Sequence, residues 1–193
     1  MNKKLNFEFV KNECENFSIS ENNSYSITYR EFLKYFENIN KIDKHNLIIS
    51  SHFVYGWMPT IINLKTDNLD RVLKLLNEVK NGHIVNVDEI EILKNCINNS
   101  LVGLSKLLHF INPQNYAIWD SRIFRFLTEK KSQYGIGNPK MYLQYLEEIK
   151  NIEKENGYPE IHKKIEKCVG YELFPTRAIE ILMFEADKKQ TSN

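Results

Sequence analysis

Cysteine is scarce in this chain: Cys14, Cys96 and Cys168 are far apart and odd in number. That excludes a disulfide framework of the kind small secreted domains use, and the wide spacing leaves no close thiolate set for zinc or an iron–sulfur cluster. Net charge is missing too, since 26 Lys and Arg stand against 25 Asp and Glu, leaving +1 at neutral pH. Bulk attraction to a polyanion is thereby excluded, and any affinity for nucleic acid has to come from a local patch. No segment has the uninterrupted apolar length that spans a bilayer, and the N-terminal MNKKLNFEFVKNEC lacks the apolar core of a signal peptide. We therefore expect a cytoplasmic protein without a membrane partner. The sequence also has no HExxH, no HD dipeptide, no GxxxxGK(S/T) and no GxSxG. Metalloprotease, HD-type hydrolase, P-loop NTPase and α/β-hydrolase chemistry each lose their simplest support.

Strand-like alternation is scarce as well, the one short example being YSITY at 25–29. What is present is helical periodicity. NLDRVLKLLNEVKNG sets Leu69, Val72, Leu73, Leu76 and Val79 on one stripe and ends in Asn81-Gly82, a C-cap signal. VDEIEILKNCINN opens with acids, which the helix dipole favours in a first turn. NPKMYLQYLEEIKNIEKENG has Asn138 to cap a helix and Pro139 for its first position, and FPTRAIEILMFEADKK reads as a last helix entered through Pro175 and Thr176. With 42% hydrophobic and 26% charged residues, the composition is that of an ordinary globular protein. The expectation is an all-α fold of roughly eight to ten helices, one domain over 1–193, built as a compact bundle whose two lobes flank a cleft.

The most informative stretch is SLVGLSKLLHFINPQNYAIWDSRIFRFL, residues 100–127. It reads as a helix bearing Lys106 and His109, a break at Pro113, then Ile118-Trp119 leading to Asp120 at the start of the next helix. Lys106 and Asp120 would then face each other across one helix-loop-helix. Asp is among the favoured N-caps, so Asp120 has a structural role available whether or not it also does chemistry. Lys106 equally suits a solvated helix face, and His109 suits a hydrogen bond to a loop carbonyl.

This stretch resembles the signature region of the helix-hairpin-helix DNA glycosylase superfamily, in which a GVGxK hairpin opens one helix and a VDTHxxR segment presents the catalytic aspartate at the start of the next. Val102, Gly103, Leu104, Ser105 and Lys106 resemble the hairpin end, and Ile118, Trp119, Asp120, Ser121, Arg122, Ile123, Phe124 and Arg125 resemble the aspartate segment. One glycine stands where the family usually has two, the Lys106 to Asp120 interval is shorter than in lysine-bearing members, and the four-cysteine cluster of some members is absent.

The resemblance implies a DNA glycosylase that flips a modified base out of double-stranded DNA and cleaves its N-glycosidic bond. Asp120 would stabilise the positive charge that develops on the sugar and orient the nucleophile. Lys106, if desolvated, would attack the sugar as an amine, giving a Schiff base and abasic-site lyase activity; otherwise water attacks. A flipped base needs an aromatic pocket and a wedge, for which Tyr55 and Trp57 in SSHFVYGWMPTI, together with Trp119 and His109, are the candidates. Tyr55 and Trp57 equally suit core packing. Gly103, Ser105, Arg122 and Arg125 are the candidates for DNA contact, and GIGNPK at 135–140 is a weaker one. This reading requires no cofactor, no metal and no obligate protein partner. Candidate substrates are oxidised purines, alkylated bases and the hypermodified cytosine of phage DNA, the last making the enzyme an antiviral defence. The rival expectation is a non-catalytic helical module that binds nucleic acid or protein.

Overall fold

In the computed structural model the described residues are 5–19, 24–56 and 61–191. Among them the backbone forms ten α-helices and no strand, apart from an isolated antiparallel bridge between Leu64 and Ile97. In chain order these are α1 (Phe7–Glu15), α2 (Ser24–Glu37), α3 (Lys44–Tyr55), α4 (Leu69–Lys80), α5 (Val87–Cys96), α6 (Leu101–Ile111), α7 (Ser121–Thr128), α8 (Pro139–Glu153), α9 (Tyr158–Val169) and α10 (Pro175–Thr191). The all-α expectation holds. The strand-like stretch at 25–29 is the exception to the sequence pattern, because its backbone lies within α2. Five alternating residues with no pairing partner do not outweigh a helical continuation through Glu37.

The fold divides into two compact units, one made of Met1–Glu21 with Ala117–Asn193 and the other of Asn22–Tyr116. The second is organised around α6, which packs against α2, α3, α4 and α5. Leu101 and every residue from Gly103 to Ile111 is buried, as expected of a helix that is apolar nearly all round. Its start is fixed by Ser100, whose hydroxyl accepts from the Gly103 N–H at 3.1 Å. It ends at Asn112, which precedes Pro113 and sits at φ −145°, out of the helical region as a residue before proline prefers. The Asn112 amide donates to the Val79 carbonyl, so the stop also ties α6 to α4.

The surrounding helices are set by their own caps. Asp43 with Asn46 and Asn86 with Glu89 form reciprocal capping boxes at the starts of α3 and α5. In α4 the buried positions are Val72, Leu75, Leu76 and Val79, while Leu69 and Leu73 of the expected stripe are half-buried. Gly82 then takes φ +100°, the left-handed turn that glycine allows without a Cβ clash.

The other unit is organised around α10, which packs against α1, α7, α8 and α9 and buries Ala178, Ile179, Ile181, Leu182, Met183 and Ala186. The N-terminal α1 joins it from the far end of the chain: Phe9 meets Phe126 at 5.0 Å between ring centroids, and Val10 and Cys14 are buried. Asn138 accepts from the Lys140 N–H and Pro139 occupies the first turn of α8, as the sequence signals.

Gly103 has a packing reason for lacking a side chain. A Cβ there would lie 2.5 Å from the Tyr55 hydroxyl and 2.8 Å from its ring. Replacing a helical glycine with alanine ordinarily gains up to about 1 kcal/mol, but overpacking costs about 1–3 kcal/mol. Gly103→Ala is therefore expected to lower the urea midpoint, with part of the loss recovered when Tyr55→Leu is added.

Candidate functional site

Residues 116–119, just before α7, are buried and belong to neither helix nor strand, an arrangement that leaves backbone carbonyls in need of donors. Two tyrosines of α8 supply them within their unit: Tyr142 donates to the Ala117 carbonyl at 3.1 Å and Tyr145 to the Ile118 carbonyl at 3.3 Å. The next residue, Trp119, is wholly buried, with rings of Phe124, Tyr142 and Tyr145 around it, and its indole N–H donates to the Ile136 carbonyl at 2.8 Å. Burial pushes the Tyr145 phenol well up, with Glu180, Tyr142 and Asp120 adding to it, so it remains a neutral donor.

Asp120 emerges from this clamp as the N-cap of α7, with extended backbone at φ −123° and ψ −177°. Both cap bonds fall on one oxygen: Oδ1 accepts from the N–H groups of Arg122 at 2.9 Å and Ile123 at 3.0 Å. The residue is half-buried. A carboxylate placed at a helix N-terminus lies in the favourable end of the dipole.

Arg122 and Arg125, expected to contact DNA, are turned toward Asp187 of α10. Arg125 makes a two-pronged pair with it, Nε to Oδ1 at 2.8 Å and Nη2 to Oδ2, and Arg122 adds a bond to Oδ2 at 3.3 Å while lying over the Phe184 ring. The Asp187 side chain is 3% exposed, so the two guanidinium groups neutralise a buried acid. Sequence reasoning missed Asp187, and pairwise spacing has no signal for a partner more than sixty residues away along the chain.

The remaining candidates lie in the unit of α6, whereas Asp120 lies in that of α10. Lys106 is buried at 8% exposure on α6, not on a solvated face. Ser105 is fully buried and its hydroxyl donates back to the Val102 carbonyl. Gly103 sits in the first turn of the helix and is not among the glycines with positive φ. His109 is fully buried between two partners, Nδ1 at 2.6 Å from the Tyr116 carbonyl and Nε2 at 2.9 Å from the Tyr29 hydroxyl. A carbonyl only accepts, so in the neutral ring Nδ1 carries the proton and Tyr29 donates to Nε2.

Tyr116 in turn donates to the His83 carbonyl and accepts from the Val85 N–H; burial pushes its phenol up to about 12. Tyr55 is buried against Gly103, and burial also raises its phenol, with Ser100 and Asn98 tempering the shift. Those two polar side chains are close, yet no hydrogen bond of ordinary geometry reaches the hydroxyl. Trp57 lies outside the described residues.

Trp119, Tyr55 and His109 thus serve the interiors of their own units. An open recess beside α3 and α4, lined by Lys41, Asp43, Asp70, Lys74 and Asn77, holds none of the candidates. Asn77 is committed there to the Ile42 backbone through both its oxygen and its nitrogen. Among the described residues no three His, Cys, Asp or Glu side chains gather as a metal ion requires, and no helix is long and apolar enough to cross a membrane. Compared with family models, curated proteins and solved structures, the chain has no significant match.

Two substitutions separate the roles found here. Asp187→Asn keeps size but withdraws the charge both arginines bind, and is expected to cost about 1–3 kcal/mol in denaturant unfolding. Asp120→Ala is expected to cost about 1 kcal/mol as a lost cap, whereas Asp120→Asn, itself a good cap, should be nearly neutral.

Proposed function

We propose that the protein is a DNA glycosylase that flips a modified base from double-stranded DNA and cleaves its N-glycosidic bond, with Asp120 as the catalytic carboxylate. The observation that supports this most is the way Asp120 is held. Its cap bonds use Oδ1 alone, which leaves Oδ2 to face the positive charge that develops on a sugar as the base departs. The preceding residues are clamped by Tyr142, Tyr145 and the Trp119 indole, and a fixed carboxylate avoids reorganisation during the reaction. The resemblance of residues 100–127 to the helix-hairpin-helix glycosylase signature points to the same role. In this reading Lys106, already removed from water, is the candidate amine nucleophile. Candidate substrates are oxidised purines, alkylated bases and the hypermodified cytosine of phage DNA, the last making the enzyme an antiviral defence in the cytoplasm.

A second reading, a helical binding module without chemistry, is favoured by a specific observation. Arg122 and Arg125 are occupied by Asp187, and three of the four base-pocket candidates are buried.

The two readings part on one measurement, mass spectrometry of free bases released from DNA carrying oxidised purines, alkylated bases, hydroxymethylcytosine or glucosylated cytosine. Wild type is expected to release a base and Asp120→Asn to release at least about 100-fold less, the scale on which removing one transition-state charge partner acts, with folding unchanged. Full release by the variant sinks the catalytic role of Asp120; no release by either leaves the binding module. Borohydride trapping of a protein–DNA adduct that disappears in Lys106→Ala identifies the amine route, and release without any adduct identifies water as nucleophile.

A further inference from the structure

The chain between α7 and α8 carries EKKSQYGIGN, and residues 129–135 are all exposed. Tyr134 is 86% exposed, the one aromatic among the large exposed apolar side chains of the described residues. A single exposed side chain ordinarily requires no explanation. This one differs in being presented by a built turn.

Tyr134 N–H donates to the Ser132 hydroxyl at 3.2 Å, Ile136 N–H to the Gln133 carbonyl at 3.0 Å, and Asn138 N–H to the Gly135 carbonyl at 3.0 Å. Gly135 takes φ +96°, a conformation that a residue with a Cβ adopts only under strain. The turn is fastened to the interior where the Ile136 carbonyl receives the Trp119 indole, and it lies close to Phe124. The ring is thus held outward by a framework anchored next to Asp120 in sequence and in space.

The charged residues of the segment are mostly basic. Lys130, Lys131 and Lys140 are exposed, Glu129 is the lone acid between 129 and 140, and none of the three lysines is engaged in an ion pair among the described residues. A protein partner would need a contiguous apolar patch, and the only other large apolar side chain of the turn, Ile136, is half-buried. An outward aromatic with unpaired lysines fits a partner that offers a flat π-face and phosphates together.

We propose that Tyr134, with Lys130, Lys131 and Lys140, forms an interaction surface for unpaired DNA, the ring stacking on an exposed base while the ammonium groups neutralise adjacent phosphates. Duplex DNA covers its base faces, so the surface takes a single-stranded stretch or the gap beside an extruded base. The inference rests on the nucleic-acid part of the proposed function and is independent of chemistry at Asp120.

The test uses the full chain and a fluorescently labelled oligo-dT, with anisotropy followed from low to moderate salt. Tyr134→Ala is expected to weaken binding roughly 5- to 150-fold, the range that loss of one base–aromatic stack spans, while Tyr134→Phe stays within about twofold. The pair Lys130→Ala and Lys131→Ala should reduce the slope of log affinity against log salt by about 1.4. Circular dichroism checks that these exposed substitutions leave the helices intact. The proposal is overturned if wild type does not bind oligo-dT at low salt, if Tyr134→Ala binds like wild type, or if Tyr134→Phe fails as badly as alanine. Tyr134-dependent binding without any base release would retain this surface and sink the glycosylase; base release with Tyr134-independent binding would do the reverse.

Discussion

The structure around the candidate site depends on satisfying a buried, non-helical backbone inside a helical protein. Helices pair their own amides, but residues 116–119 are buried without a helix and without a sheet neighbour, so their carbonyls must find side-chain donors. The Tyr116, Ala117 and Ile118 carbonyls take them in succession from the His109 ring, the Tyr142 hydroxyl and the Tyr145 hydroxyl. Each tyrosine has an apolar body with one polar tip, which lets the same side chain fill core volume and close a hydrogen bond. An unsatisfied buried carbonyl costs about 1–3 kcal/mol, so each of these donors holds its own stretch of the segment in place.

That constraint explains why the chain places a carboxylate directly after a tryptophan. Trp119 supplies bulk for the interior and one N–H for the Ile136 carbonyl. Asp120 then meets the first free amides of α7 with one oxygen and ends the non-helical segment. The cap bonds fall on Oδ1 alone, so capping leaves the other oxygen outside them. The same economy does not extend to Arg122 and Arg125, whose charges are absorbed by Asp187. A guanidinium that neutralises a buried acid has less left to offer a phosphate, since both ligands want the same planar face of donors.

Much of the fold was legible because it rests on local rules. Asn138-Pro139, Asn81-Gly82, the acids opening α5 and the stripe of α4 are signals within one helical turn or two, and each marks what the structure has. The strand-like letters at 25–29 carried no strand, because alternation over five residues occurs within a helix too. At the site, Asp120 as a cap was readable from its position before an apolar run, and so was a histidine bonded to a loop carbonyl. Burial of Ser105 and Lys106 was not readable: it comes from α2, α3, α4 and α5 closing around α6, which no pattern within α6 records. The Arg–Asp187 cluster was hidden for the same reason, being a contact between helices distant in sequence.

The glycine of the apparent hairpin shows how a motif and a packing constraint produce the same letter. In a phosphate-gripping turn a glycine is needed because backbone must approach a ligand. At Gly103 it is needed because the Tyr55 ring approaches the helix too closely for any Cβ, and the N–H is already bonded to Ser100. The residue type is therefore accounted for without DNA, and the lone glycine cannot weigh in favour of a nucleic-acid turn at that position. Tyr134 is the opposite case. Neither packing nor capping accounts for an aromatic held outward on a fastened turn among unpaired lysines. Residues whose type the fold already explains say little about function, and those it leaves unexplained are where a partner is best sought.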